Sequence, residues 1–218
     1  MFDPVIFDLD GTLLDTLGDL AAAGNHALRQ MDFPTHTDEE FRLFVGNGIA
    51  KLIERMLPAG SSEEVQKTAY SVFAEYYALH NSDKTKPYGG IAELLAELKS
   101  RGITAVCVTN KDHSFSEELL RSFFGENITE VIGAGIGFPV KPDPSAVLHL
   151  AEKYRKSGCE PLYVGDSGVD MQTAKNAGLT ACGVLWGFRG REELEQYAPA
   201  FLVENAVELG RIILEGDA

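Results

Sequence analysis

Cysteine is scarce in this chain: Cys107, Cys159 and Cys182 are all it has in 218 residues. The number is odd and no pair has Cys-x-x-Cys spacing, which argues against a disulfide framework or a structural zinc and for a reducing, cytoplasmic compartment. Positive charge is also short. Lys and Arg number 19 against 33 Asp and Glu, a net charge of −14, so neither nucleic acid nor an anionic membrane is an expected partner. Any anionic small molecule must then be attracted locally. No run of 18 apolar residues is present to cross a bilayer, and Met1-Phe2-Asp3-Pro4 carries no basic region, so no signal peptide is expected. The five histidines (His26, His36, His80, His113, His149) lack metal-ligand spacing and read as surface or satisfied polar groups. What remains, 44% hydrophobic and 24% charged with 22 Gly and 9 Pro, is the composition of a globular α/β protein.

The hydrophobic pattern divides the chain. Val5-Ile6-Phe7 is a short apolar run stopped by Asp10-Gly11-Thr12, the signature of a buried strand. The pattern then turns helical, with Leu17, Leu20, Ala21, Leu28 and Met31 on one face, Ile49, Leu52, Ile53, Met56 and Leu57 on a second, and Val65, Ala69, Val72, Phe73 and Tyr76 on a third. Thr37 with Glu40 and Ser61 with Glu64 have the spacing of capping boxes. No strand is expected between residues 15 and 86. After Lys86-Pro87-Tyr88-Gly89-Gly90, strands alternate with helices: a helix from Ile91 to near Gly102, strands at 104–108, 130–133, 162–164, 180–184 and 201–203, and helices at 115–123, 145–156, 170–177 and 206–214. Such alternation predicts a parallel, Rossmann-like sheet covered on both faces. The expected architecture is a discontinuous α/β core, 1–14 and 87–218, with 15–86 inserted as a helical cap.

Ligands of open parallel sheets bind beyond the carboxyl ends of the strands. The residues that follow four of these strands are Asp8, Asp10, Gly11 and Thr12; Thr109, Asn110 and Lys111; Lys141-Pro142-Asp143; and Gly165-Asp166-Ser167-Gly168-Val169-Asp170. Carboxylates, a Thr, an Asn and a Lys thus converge on one edge. Two carboxylates on one side of an extended segment, Asp8 and Asp10, can divide the work of nucleophile and general acid/base. Taken singly, each motif has a plainer reading: an Asp-Gly-Thr turn, a strand-end turn at Thr109-Asn110, a solvated Lys141 before an Asp143-Pro144 helix start, and a helix cap at Asp166 with a first-turn acid at Asp170.

Together the four motifs resemble those of the haloacid dehalogenase-like hydrolase superfamily, in its phosphoglycolate phosphatase branch, and the resemblance covers essentially the whole chain. It implies a Mg²⁺-dependent hydrolase of small phosphate monoesters, with 2-phosphoglycolate as first candidate. Asp8 would be the nucleophile that becomes an aspartyl-phosphate, and Asp10 the acid that protonates the leaving alkoxide and then activates water. Thr109, Asn110 and Lys141 would hold the phosphoryl oxygens. Asp8, the backbone carbonyl of Asp10 and Asp166 would bind Mg²⁺, with Asp170 beside the metal or its waters. A hard cation with oxygen ligands is what such chemistry needs, since a carboxylate attacking a phosphate dianion meets like-charge repulsion. From the cap, the Gly46-Asn47-Gly48 bend is expected near the substrate, with Lys51 or Arg55 as partners for a substrate carboxylate. Gly183-Val184-Leu185-Trp186-Gly187-Phe188-Arg189 resembles a stretch of the same branch. Lys175 and Asn176 match a common family segment and are expected on a helix surface. Asp10 argues against a dehalogenase and favours ester hydrolysis over a phosphonatase or a non-enzymatic phospho-acceptor signalling domain; a sugar-phosphate mutase, a pyrophosphatase or phosphonatase and, outside the enzymes, the phospho-acceptor domain are the alternatives.

Overall fold

The computed structural model of the chain describes residues 1–216. Its strands and helices run β1 (Phe2–Phe7), β2 (Leu14–Asp15), α1 (Leu17–Gln30), α2 (Asp38–Phe44), α3 (Ile49–Met56), α4 (Glu63–His80), β3 (Lys86–Pro87), α5 (Ile91–Ser100), β4 (Ala105–Asp112), α6 (His113–Phe124), β5 (Glu130–Ala134), α7 (Ser145–Lys153), β6 (Glu160–Gly165), α8 (Gly168–Ala177), β7 (Thr180–Val184), α9 (Arg191–Glu195), β8 (Phe201–Val203) and α10 (Ala206–Glu215). Six strands form one parallel sheet in the order β5-β4-β1-β6-β7-β8. The chain leaves β1 toward one side for two strands and then returns to its other side at β6. The order therefore reverses beside β1, where α/β sheets place their ligand crevice.

Every residue of β1 is buried, and the pleat sends its apolar side chains to opposite faces. Val5 and Phe7 join Leu95 and Leu98 of α5, Leu119 and Leu120 of α6 and Leu209 and Ile213 of α10 in one layer. Ile6 joins Val106, Val147, Leu150, Tyr163 and Ala174 in the other. Each fully buried Leu, Ile or Phe contributes about 1.5–3 kcal/mol, so a continuous apolar run is the price of the central position. Cys107 and Cys182 are buried strand residues within the first layer.

Helices α1 to α4 bury a separate cluster that includes Leu20, Phe41, Ile53, Phe73 and Tyr77. The Phe41 ring packs tightly on α1 at Gly24, where a Cβ would lie 2.4 Å from it. Buried Asp19 fastens the start of α1 to the returning chain, accepting from Lys84 N, Thr85 N and Thr85 Oγ1 at 2.7–3.0 Å. The segment joins the sheet through a two-residue antiparallel ribbon, Leu14 opposite Pro87 and Asp15 opposite Lys86. That ribbon corrects the expectation of no strand around 15–86, since two residues are too short to show a period. Thr37 and Glu40 do form a capping box. The next helix is capped one residue later than the spacing suggested: Ser62 accepts from Val65 N, while Ser61 Oγ donates to the Pro58 carbonyl. Among the described residues, no helix is long and apolar enough to cross a membrane.

Candidate active site

Asp8 is the first residue beyond β1, and its backbone N donates to Val164 O of the neighbouring β6 at 2.9 Å. Its carboxylate is almost wholly buried, with the Lys141 ammonium 2.7 Å from Oδ1. That ion pair lacks hydrogen-bond alignment, which leaves Asp8 Oδ1 as a buried oxygen without a hydrogen-bond partner. Burial and the nearby Asp170 charge push the Asp8 carboxyl up to about 7, against the pull of Lys141.

Lys141 also lies 2.7 Å from Asp170 Oδ1. Burial works against its charge, but Asp170 and Asp8 outweigh that and hold its pKa well above the ordinary lysine value. Asp170 is saturated: Oδ1 accepts from Lys141 and, at 3.0 Å, from the Tyr163 hydroxyl, while Oδ2 accepts from Ser167 N and Oγ at 3.1 and 2.6 Å. It is thereby both the third residue of a capping box opened by Ser167 on α8 and a partner of the site lysine. The helix-cap reading and the site reading hold for the same side chain, and the cap residue is Ser167, not Asp166. Asp166 receives Thr12 Oγ1 at 3.3 Å and Phe188 N at 2.6 Å. Burial first, then the charges of Asp170 and Asp8, raise its carboxyl well above the usual range. Asp8, Asp166 and Asp170 each bring an oxygen to within 4.8 Å of the others. Asp8 and Asp170 share the Lys141 ammonium, while Asp166 is buried on the neutral donors Thr12 Oγ1 and Phe188 N, so three buried carboxylates meet one positive charge; the cluster fits a hard, oxygen-seeking cation.

Asp10 stands apart from that cluster. Its carboxylate accepts from Thr16 Oγ1 at 2.8 Å and from Lys111 Nζ at 3.2 Å to each oxygen. The Lys111 side chain is 1% exposed, and its ammonium sits 4.7 Å above the Tyr77 ring from α4. Lys111 is the site residue that the sequence named in passing but gave no role. Strand β4 runs on to Asp112 instead of ending at 108, with a break in pairing register between Val108 and Asp112. Thr109, Asn110 and Lys111 are therefore strand residues, and the irregular register lets them project at the sheet edge.

Asn110 acts on the backbone around it. Its Oδ1 accepts from Lys141 N at 2.7 Å, and its Nδ2 donates to the carbonyls of Lys141 at 3.2 Å and Gly46 at 3.3 Å. Asn176, from the surface of α8, donates to Pro142 O at 2.8 Å and steadies the same loop. Thr109 Oγ1 accepts from Lys111 N at 3.2 Å. Asp8, Asp10, Thr109, Asn110, Lys111 and Lys141 form the floor of a cavity of about 30 Å³, roofed by Leu20, Val45, Gly46, Gly48, Ile49 and Leu52. Gly46 belongs because its φ of +114° lets the bend turn over the floor. Asn47 and Lys51 do not line this cavity: Asn47 Oδ1 accepts from Arg55 at 2.7 Å, and Lys51 pairs with Glu54 at 2.6 Å on the exposed side of α3. Arg55 is likewise engaged, donating also to Phe44 O at 2.8 Å.

Against this geometry, the chain matches the family model described as haloacid dehalogenase-like hydrolase over residues 5–184. It is 35% identical to the phosphoglycolate phosphatase of Vibrio parahaemolyticus over 217 residues, covering 96% of this chain and 95% of that one. Phosphoglycolate phosphatase 1 of Pseudomonas aeruginosa is 33% identical over 214 residues, 94% of this chain and 77% of its relative. Among solved structures, one from Lactobacillus delbrueckii subsp. bulgaricus superposes with a TM-score of 0.89 at 28% identity, covering 98% of each chain.

Proposed function

The chain belongs to the haloacid dehalogenase-like hydrolase family and is a phosphatase, a phosphoric monoester hydrolase, and we propose that it cleaves small phosphate monoesters through an aspartyl-phosphate on Asp8, with 2-phosphoglycolate as the leading substrate. The observation that carries this reading is the buried Asp8 carboxylate, with one oxygen lacking a hydrogen-bond partner, beside Lys141 on the floor of a small roofed cavity.

In this reading an Asp8 oxygen attacks phosphorus, the bond to the leaving oxygen breaks, and Asp10 delivers a proton to that oxygen. Asp10 then takes a proton from water as water attacks the acyl phosphate, restoring Asp8 and releasing phosphate. Lys141 places a fixed positive charge where the equatorial oxygens accumulate negative charge. Thr109 offers a hydroxyl beside it, and Asn110, its amide engaged with the Lys141 and Gly46 backbone, holds the Lys141 loop in place. Thr16 and Lys111 hold the Asp10 carboxylate. Asp8, the Asp10 carbonyl and Asp166 would hold Mg²⁺, with the saturated Asp170 at its margin, and the ion supplies neutralisation of the like charges that the reaction brings together.

We read residues 15–86 as a cap on a core of 1–14 and 87–218; support comes from the separate apolar cluster of α1 to α4 and the slender ribbon that joins them to the sheet. The same residues would serve a mutase, but the similarity to phosphoglycolate phosphatases favours hydrolysis. The cytoplasm is the proposed location, supported by three free cysteines. The test is a panel of small phosphate esters and pyrophosphate compared by kcat/KM, with free phosphate and isomer formation both measured. The reading expects Mg²⁺-dependent phosphate release, silenced by EDTA and by Asp8→Asn, with 2-phosphoglycolate at the top of the series; isomer without phosphate would replace it by the mutase reading.

A further inference from the structure

The segment Trp186–Arg189 follows β7 and has no part in the chemistry above, yet it touches both the carboxylate cluster and the roof. Trp186 Nε1 donates to Thr12 O at 3.0 Å. Gly187 passes so close to Asp166 that a Cβ there would lie 2.3 Å from Asp166 Cβ and 2.5 Å from Gly11 O. Only glycine permits that approach. Phe188 N then donates to Asp166 Oδ2 at 2.6 Å, while the Phe188 ring, 7% exposed, is buried in the apolar cluster of α1 to α4.

Arg189 completes the connection. Its guanidinium donates to the carbonyls of Arg42 and Val45, the latter at 2.7 Å, and reaches Leu43 O at 3.5 Å. These are groups of the last turn of α2 and its exit, where helices leave carbonyls unpaired and favour a cation. Arg42 answers in the other direction, its Nη1 donating to Gly187 O at 3.3 Å. The Arg189 side chain is 15% exposed and is steadied by Glu193 at 3.5 Å. The carbonyl it holds, Val45 O, is one residue before Gly46, whose own carbonyl accepts from Asn110 of the floor. A solvated surface arginine would show none of this: the planar fork is spent on backbone carbonyls of another helical layer.

We propose that Trp186–Arg189 is a clasp in which Arg189 is a positioning residue. It fixes the Val45–Gly48 roof over the cavity and ties it, through Phe188 N, to Asp166. Substrate that binds only beneath a seated roof then meets a competent enzyme in proportion to the seated fraction. Arg189 therefore sets apparent affinity more than the rate of the bond-making steps. The kinetic part of this inference rests on the phosphatase reading; the structural part does not.

The experiment compares wild type, Arg189→Ala, Arg189→Lys and Arg42→Ala in steady-state hydrolysis of 2-phosphoglycolate and in amide hydrogen exchange of the free enzymes. For Arg189→Ala, KM rises about tenfold with kcat within about threefold, because charge-assisted bonds from a partly buried donor are lost while the floor side chains are untouched. Exchange in residues 38–48 accelerates, and residues 145–177 stay at the wild-type rate. Arg189→Lys recovers part of both effects, and the exposed Arg42→Ala, which removes only the return bond, shows a smaller change of the same kind if Arg189→Ala fails to fold. Unchanged exchange over 38–48, or an unchanged KM in a folded variant, overturns the clasp. A wild type that hydrolyses none of the esters overturns the phosphatase reading instead, and exchange still decides the clasp.

Discussion

The floor and the roof of the cavity are built on different principles. On the floor, the groups are mostly side chains, buried and braced by ion pairs and hydrogen bonds: Lys141 between Asp8 and Asp170, Lys111 against Asp10, and Thr12 Oγ1 with the Phe188 backbone N on Asp166. In the roof, the contacts are backbone carbonyls, a left-handed glycine and apolar surface, and its cations, Lys51 and Arg55, are spent on partners within their own layer. In the proposed reaction the floor would fix the chemistry by residue type, and the roof would select by shape and by how firmly it is seated.

Removing the floor's shared cation is the harshest test of that contrast. Lys141→Ala leaves two facing buried carboxylates without their ammonium, and kcat/KM is expected to fall by about 10²–10³, with a clear loss of thermal stability. A near-normal kcat/KM would mean that the phosphoryl group is held elsewhere. Gly46→Ala acts on the roof. A Cβ at φ +114° strains the bend by about 1–2 kcal/mol, so KM should rise several-fold with kcat nearly unchanged; a fall in kcat alone would place Gly46 among the floor groups.

The floor also carries a stability cost that the roof lacks. The Asp8 carboxyl sits at about 7 in the folded chain against an ordinary 3.8, so the fold prefers it protonated. Its penalty is absent below the lower value, grows as pH rises through that window, and is fully present above about 7. Asp8→Asn removes the charge, so the metal-free variant should melt a few degrees above metal-free wild type at pH 8, with the gain vanishing near pH 4. Equal melting temperatures at pH 8 would show that Asp8 is not held at that cost. The smallest effect belongs to Lys51→Ala, since its exposed pair with Glu54 is worth less than about 1 kcal/mol; kcat/KM should stay within twofold, and a large rise in KM would put Lys51 on the substrate after all.

This contrast also governs what could be read in the sequence. Asp8 and Asp166 were legible because apolar strands end just before them, Thr109 because the apolar run of β4 stops there, and Lys141 because it lies on the loop that follows β5; the sheet rule brings such segments to one edge. Lys111 was visible but had no role, because its value lies in contacts with Asp10 and with Tyr77, 34 residues upstream and in another layer. The extension of β4 to Asp112 could not be foreseen either, since polar residues carry a strand only where a neighbouring strand pairs with them. Lys51 and Asn47 were expected at the substrate from proximity to a glycine-rich bend; helical geometry turns Lys51 to the outer side of α3, and Asn47 is taken by Arg55. The clasp at Arg189 was out of reach altogether, because arginine-to-carbonyl contacts between residues 42–45 and 189 leave no periodicity or spacing in the chain.

The central claim is that Asp8 carries the phosphoryl group, and trapping tests it directly. Asp10→Asn, slowed in hydrolysis, is mixed with phosphoester and Mg²⁺, quenched in acid, reduced with borohydride to mark the acyl phosphate, and mapped by peptide mass spectrometry. The mark is expected at residue 8 alone, and absent from Asp8→Asn; a mark at Asp166, at Asp170 or on a histidine, or steady turnover by Asp8→Asn, would contradict the account.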